Sequence, residues 1–362
     1  MPTPRLISGE ALAARLEDPA VLVLDVREPD EVAAWAFPGA INIPLGELEG
    51  RLDELPAGRE VVTVCALGSR ATAGAAMLEA AGRPALVLEG GMAAWSSTYD
   101  EVEGGFAGAT VIQVRRRGKG CLSYVVGAGE RCVVIDPSLA TSRYQAIAAR
   151  KGWAITHVLD THLHADHLSG ARALAAASGA ELWLNPGDPF AFTFTPISDG
   201  KAIELVAGVN LAVSSVSVPG HTEGSTMYQL GEAAIFTGDT LFLESVGRPD
   251  LADEAEAYAH HLFRSLHERV LPLSDAVVVF PAHFGPGVGV RAGALVSRPL
   301  GELRGTLPPL ALDEPDFVNW AVANVKDRPG NYQRIVRINA GREDPGPDTS
   351  ELETGPNRCA IA

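Results

Sequence analysis

The first hundred residues alternate between short apolar runs and Ala/Glu-rich stretches. The runs 21–26 (VLVLDV), 61–64 (VVTV) and 85–88 (ALVL) are almost continuously apolar. Such runs fit strands of a parallel sheet covered on both faces. Between them, 71–81 (ATAGAAMLEAA) has helical composition and is closed by Gly82. Alternating strand and helix predicts an α/β domain over 1–103. The stretch 103–109 (EGGFAGA) lacks periodicity and reads as a linker. Beyond it the pattern changes. Runs at 111–114, 121–126 and 131–135 predict consecutive strands separated by RRRGKG and GAGE turns. Arg115–Arg117 is expected at a solvated hairpin tip. A helix at 141–151, a strand at 157–160 and a helix from about 168 follow. Strands are expected at 181–184, 203–206, 211–218 and 233–237, then a helix at 253–270 and a strand at 276–280. This second domain, 110–362, is richer in strands and mixes pairing types. The stretch after about 340 has little periodicity, and no internal repeat is visible.

Composition narrows the function classes. Of 362 residues, 29 are Lys or Arg and 45 are Asp or Glu, giving a net charge of −16. Nucleic acid and anionic membrane both require a basic face, so neither is an expected partner. The start MPTPRLISGE has no apolar core of signal-peptide length. No apolar run approaches the ~20 residues of a membrane span. Four scattered cysteines (Cys65, Cys121, Cys132, Cys359) without a CxxC do not make a disulfide framework. A reducing, cytoplasmic setting is the expectation.

Cys65 ends the VVTV strand and opens Cys65-Ala66-Leu67-Gly68-Ser69-Arg70, just before a helix. A tight loop at a helix N-terminus aims backbone N–H groups at one point and favours a thiolate or an oxyanion there. Arg70 adds a fixed charge and a fork for an oxyanion. The same pattern also fits a buried cysteine at a strand end. The surroundings are Asp25-Val26-Arg27-Glu28, Phe37-Pro38-Gly39-Ala40-Ile41-Asn42-Ile43-Pro44 and Gly90-Gly91-Met92-Ala93-Ala94-Trp95. With the CxxGxR loop, these resemble single-domain rhodaneses, in order, across the whole block. The resemblance implies a sulfurtransferase in which Cys65 carries a persulfide, Arg70 assists, and Asp25 and Arg27 brace the loop. Many such domains have a basic residue after the cysteine. Ala66 stands there instead, which points away from thiosulfate and toward a low-molecular-weight persulfide as donor.

Three of the nine histidines fall in His162-Leu163-His164-Ala165-Asp166-His167, between a strand and a helix. His221, Asp239 and His283 each follow a later apolar strand. Imidazole and carboxylate are ligands for Zn, Fe or Mn, and strand ends are where an α/β scaffold gathers a site. The set resembles the metallo-β-lactamase superfamily over about 110–300, which implies an αββα sandwich with metal at one edge. Two chemistries compete. A glyoxalase II-like thioesterase would use all seven residues to hold two Zn per chain. A persulfide dioxygenase would hold one Fe(II) per chain on two histidines and one carboxylate. Gly247-Arg248-Pro249-Asp250-Leu251, with Leu159-Asp160-Thr161-His162 and Ala165-Asp166-His167-Leu168-Ser169-Gly170, resembles the persulfide dioxygenases. By that resemblance His162, His221 and Asp239 are the iron ligands. His164, Asp166, His167 and His283 are then outer-shell or second-metal residues. Arg248 is expected to grip a carboxylate of the thiol carrier, with a surface salt bridge as the plainer reading. After His283, glutathione-binding members often continue with Asp and an aromatic hydroxyl. Here Phe284-Gly285-Pro286-Gly287 follows, so the identity of the thiol stays open. Cys121 and Cys132 are expected as core packing, and Cys359 is assigned no role.

The two domains fit one chemistry. A thiol persulfide (such as glutathione persulfide) plus O₂ would give sulfite, and a rhodanese interconverts sulfite and thiosulfate through its persulfide. Fusions of these activities are known as a family, usually with the dioxygenase first, whereas here the rhodanese leads. A two-metal thioester hydrolase with an accessory rhodanese domain is the alternative, and a non-catalytic sulfur-relay or sensor module is a third. Small-molecule partners are expected, and a homodimer is one option for the assembly.

Overall fold

A computed structural model describes residues 4–206, 212–251, 254–285, 287–325, 328 and 330–361. By compactness the chain divides into two units. One comprises Met1–Asp100 with Arg115–Gly120 and Glu353–Pro356, and the other Glu101–Val114, Cys121–Leu352 and Asn357–Ala362.

The first unit holds a five-stranded sheet of β1 (Leu6–Ile7), β2 (Val21–Asp25), β3 (Ile41–Asn42), β4 (Glu60–Val64) and β5 (Ala85–Leu88). The order is β1-β5-β4-β2-β3 and every pair is parallel. The apolar runs thus form the buried parallel strands expected of them, and β2 is buried throughout. One face packs Leu22, Leu24, Val61 and Val87 against Ala71, Ala75 and Leu78 of the helix Ser69–Ala80. The other packs Val23, Val62 and Leu86 with Phe37 and Trp95. The carboxyl ends of β2 and β4 deliver Asp25 and Cys65 to one edge, where open parallel sheets place ligands.

The basic run corrects the sequence reading. Arg115, Arg116 and Arg117 are buried, not solvated. Arg115 and Arg117 both pair with Asp100, at 2.5 and 2.7 Å. Arg116 pairs with Glu353 and donates to the Ser96 carbonyl. Charge patterning on a sequence cannot reveal carboxylates brought from 15 and 237 residues away.

The second unit is a sandwich of two sheets. The first contains β6 (Tyr99–Phe106), β7 (Ala109–Arg116), β8 (Cys121–Ala128), β9 (Arg131–Ile135), β10 (Ala154–Leu159), β11 (Glu181–Leu184) and β12 (Thr195–Pro196), in the order β12-β11-β10-β9-β8-β7-β6. The second contains β13 (Ala202–Glu204), β14 (Ala212–Ser217), β15 (Thr226–Leu230), β16 (Ala234–Gly238), β17 (Val278–Pro281) and β18 (Arg298–Pro299), ordered sequentially. Both mix parallel and antiparallel pairs, as expected. The sheets face each other across one core, in which Tyr124 of β8 meets Phe236 of β16 with ring centroids 4.8 Å apart. Helices such as Thr141–Lys151, Ala171–Ser178 and Ala255–Arg264 complete the layers. Residues 103–109 are not a linker. They belong to β6 and β7 and the turn between them, where Ala107 and Gly108 have φ of +51° and +86°. The predicted strand at 211–218 begins at Ala212, Leu211 lying outside the described residues. The predicted helix at 253–270 starts at Ala255 and ends in a wider turn over Ser265–Val270, with Asp253 outside the described residues. Among the described residues no helix is long and apolar enough to cross a membrane.

Candidate active-site loop and metal centre

Cys65 is buried, and its Sγ accepts a hydrogen bond from the Gly68 N–H at 3.1 Å. Gly68 adopts φ +108°, which turns the chain sharply into the helix beginning at Ser69. The loop is clasped from behind: Met92 N–H donates to the Cys65 carbonyl and Ala93 N–H to that of Ala66. A Cβ on Gly91 would stand 2.2 Å from the Cys65 carbonyl oxygen, so only glycine permits that approach. Asp25 and Arg27 form a buried bidentate pair, with Nη2–Oδ2 at 2.6 Å. Arg27 also donates to the Trp35 carbonyl, and Asn42 donates to the carbonyls of both residues. This lattice fixes the strand ends beside the loop. Arg70 is held bidentately by Glu31, at 2.6 and 2.7 Å. The Arg70 hydrogen bond draws the Glu31 carboxyl down to about 2. Sequence reasoning did not single out Glu31, whose visible signal was a capping box with Glu28.

In the second unit, four strand ends supply the histidine and aspartate set, all buried. His162, His221 and Asp239 converge. Each offers a ligand atom, and these lie within 4.8 Å of one another. His162 Nε2 and His221 Nε2 both lie 3.5 Å from Asp239 Oδ2, and none of the three atoms has a hydrogen-bond partner. Orphaned buried polar atoms are costly unless something unites them. Two imidazole nitrogens and a carboxylate oxygen facing one point suit a divalent metal with open positions.

The opposite side of each of the three residues is anchored. His162 Nδ1 meets Thr161 Oγ1 at 2.9 Å, and Thr161 in turn donates to Asp136 at 3.0 Å. His221 Nδ1 donates to the Arg248 carbonyl at 2.9 Å. His283 Nδ1 holds Asp239 Oδ1 at 2.7 Å, leaving Oδ2 for the centre. Such partners fix tautomer and orientation. Burial keeps His162 and His221 below the usual histidine range, so their lone pairs stay available. Burial opposes the charge on Asp239, but His283 outweighs it and holds the carboxylate ionised. Gly238 has φ +55°, and a Cβ there would meet Thr161 Oγ1 at 2.6 Å.

The remaining residues of the set form a second group. His164 Nε2 faces Asp136 Oδ1 at 3.2 Å. Asp166 Oδ1 pairs with His167 at 2.9 Å and Oδ2 with His283 at 2.9 Å. Cys121 joins them, its Sγ 3.7 Å from Asp166 Oδ2. The expectation that Cys121 only packs the core is therefore corrected. Burial opposes ionisation of its thiol, but His167 and His283 draw it down to about 6. Cys132 does sit in the core, where burial pushes its thiol up to about 12. Cys359, assigned nothing by sequence, groups with Asp239 and His283. A lone cysteine in an aperiodic stretch carried no signal of this.

Arg248 is buried, and its guanidinium already engages Asp250, at 2.7 and 2.9 Å, and the Arg358 carbonyl at 3.0 Å. A carrier carboxylate would meet an occupied fork. Beyond His283, the Phe284 carbonyl accepts from Asn357 Nδ2, and Pro286 lies outside the described residues.

Comparison with known proteins agrees with both halves. Residues 8–98 match the rhodanese-like domain family, and residues 116–283 match the metallo-beta-lactamase superfamily. The chain therefore belongs to the metallo-β-lactamase superfamily and carries a rhodanese-like domain ahead of that fold. More particularly, it is 29% identical to the mitochondrial persulfide dioxygenase ETHE1 of Bos taurus, over 46% of this chain and 65% of that one. The structure of ETHE1 from Myxococcus xanthus superposes with a TM-score of 0.57 at 25% identity, covering 64% of this chain and 99% of that one. A hydroxyacylglutathione hydrolase of Rhodospirillum rubrum is 41% identical over 120 residues, 32% of this chain and 45% of that one.

Proposed function

We propose that the protein is an iron-dependent persulfide dioxygenase fused to a rhodanese-type sulfurtransferase. The carrying observation is the trio of partnerless atoms, His162 Nε2, His221 Nε2 and Asp239 Oδ2, aimed at one point. These residues would hold one Fe(II), which supplies open positions for a sulfur ligand and O₂. Thr161, the Arg248 carbonyl and His283 hold the three ligands in register. His164, Asp166 and His167 form a buried, paired group beside them. Similarity to ETHE1 proteins supports this choice. In the first unit Cys65 attacks the sulfane sulfur of a donor and carries it as a persulfide, which the Gly68 N–H is placed to stabilise. Sulfite accepting that sulfur would leave as thiosulfate, and the reverse is also open to the same loop.

A two-metal hydrolase is the second reading. It is favoured by the grouping of Cys121, Asp166, His167 and His283 and by the relative from R. rubrum. Metal analysis of the purified full chain tests the choice. One iron per chain, with oxygen uptake and sulfite release on glutathione persulfide, is the expected result. Two zincs per chain with thioester cleavage would overturn it.

A further inference from the structure

We propose that Cys359 is the thiol that presents sulfur to the candidate metal centre, so that the substrate is carried on the chain itself as Cys359–S–SH. The inference rests on the dioxygenase reading and names its sulfur carrier. Its starting point is Arg248, expected to grip a free carrier, and the segment after His283, which lacks the polar groups of glutathione-binding members. Both instead hold the segment Asn357–Ile361. Arg248 N–H donates to the Cys359 carbonyl at 2.9 Å, and its guanidinium donates to that of Arg358 at 3.0 Å. The Phe284 carbonyl, next to His283, accepts from Asn357 Nδ2 at 3.2 Å. A bridge between Gly247 and Ala360, and Ile361 N–H on the Val246 carbonyl at 3.0 Å, complete the strap.

The strap delivers a sulfur. The Cys359 thiol is buried, with Sγ grouped within 4.8 Å of ligand atoms of Asp239 and His283. Asp239 offers its unpartnered oxygen to the centre, and the partnerless nitrogens of His162 and His221 face the same point. Cys359, Asp166, Arg248 and Tyr332 border a void of about 10 Å³. That is room for about one further atom. An added sulfur on Sγ is one atom.

Loading balances without an oxidant. The Cys359 sulfur attacks the outer sulfur of R–S–SH, a new S–S bond forms, and the S–S bond of the donor breaks. R–S⁻ leaves and takes the Cys359 proton, so Cys359–S–SH and R–SH result. Oxidation by O₂ and hydrolysis then release sulfite and restore the thiol.

Mass spectrometry of the iron-loaded full chain, treated without oxygen with glutathione persulfide, tests this directly. One added sulfur is expected on the peptide bearing Cys359, independent of that on Cys65, and it should persist in Cys65→Ser. After removal of free persulfide, admitting oxygen should release about one sulfite per chain and return the peptide to its original mass. Cys359→Ser should keep the iron content and lose this single-turnover sulfite. An unloaded Cys359, or sulfite formed only while free glutathione persulfide is present, overturns the proposal and leaves the dioxygenase reading standing. No oxygen uptake under any condition, with iron bound, removes that reading and the proposal with it.

Discussion

The two candidate sites are built by opposite physical means. The Cys65 loop is made from main chain: Gly68 N–H on Sγ, and the carbonyls of Cys65 and Ala66 clasped by Met92 and Ala93. Its charged residue, Arg70, is a third exposed and shares its fork with Glu31. The His/Asp centre is made from buried side chains, each oriented by a second residue behind it. Backbone cradles stabilise charge without needing particular side chains, so such a loop tolerates Ala66 where a basic residue is common. A centre of convergent side chains tolerates little, because every orphaned atom needs the same partner.

The largest effects should therefore come from removing one ligand or one nucleophile, and they should separate the sites. His162→Ala is expected to abolish iron binding and oxygen uptake while leaving cyanide-dependent sulfur transfer intact. Cys65→Ser should do the reverse. Metal content and both assays on the two variants check this. Loss of both activities in either variant would show that the sites are not independent.

The next effect probes the shell behind a ligand. Thr161→Val keeps the shape but removes the hydroxyl between Asp136 and His162 Nδ1. Losing such a partner typically weakens metal binding by about 10–100-fold. Competition with a chelator should report this loss, with iron content unchanged at saturating metal. Gly238→Ala places a methyl against the same hydroxyl at a φ of +55°. It should cost stability by about 1–3 kcal/mol, measured by denaturant unfolding, and lower metal affinity as well.

The same contrast explains what was legible in the sequence. The parallel strands β2, β4 and β5 stood out because burial on both faces leaves continuous apolar runs. The candidate ligands stood out because histidines rarely cluster, and each lies within four residues of a strand end. What stayed hidden was every pairing across long separations. Arg115–Arg117 read as exposed because Asp100 and Glu353 could not be seen beside them. Cys121 lies on a strand whose pattern says core, yet a bridge to His283 sets it in the shell. Arg248 had the residue type for a carboxylate receptor, but its carboxylate, Asp250, is two positions away. The 103–109 stretch read as a linker because alternating glycine and small residues hide a hairpin.

The smallest effect sharpens the contrast at the exposed site. Glu31 holds Arg70 bidentately, and Arg70 draws its carboxyl down to about 2 from 4.5. A lowered carboxylate contributes stability that is present above its unfolded pKa and lost as pH falls through the folded one. Glu31 thus stays ionised from about pH 5 to about pH 8, and the pair is constant across that range. Glu31→Gln removes the competing charge and leaves Arg70 freer to receive an anionic sulfur compound. The expected result is a two- to fivefold lower KM for an anionic donor, of about 0.4–1 kcal/mol, with little change in kcat. Because Glu31 does not titrate there, this ratio of wild-type to variant KM should be flat from about pH 5 to about pH 8. A ratio that grows or collapses within that window would mean another group governs Arg70, and an unchanged KM would mean the anion never reaches it.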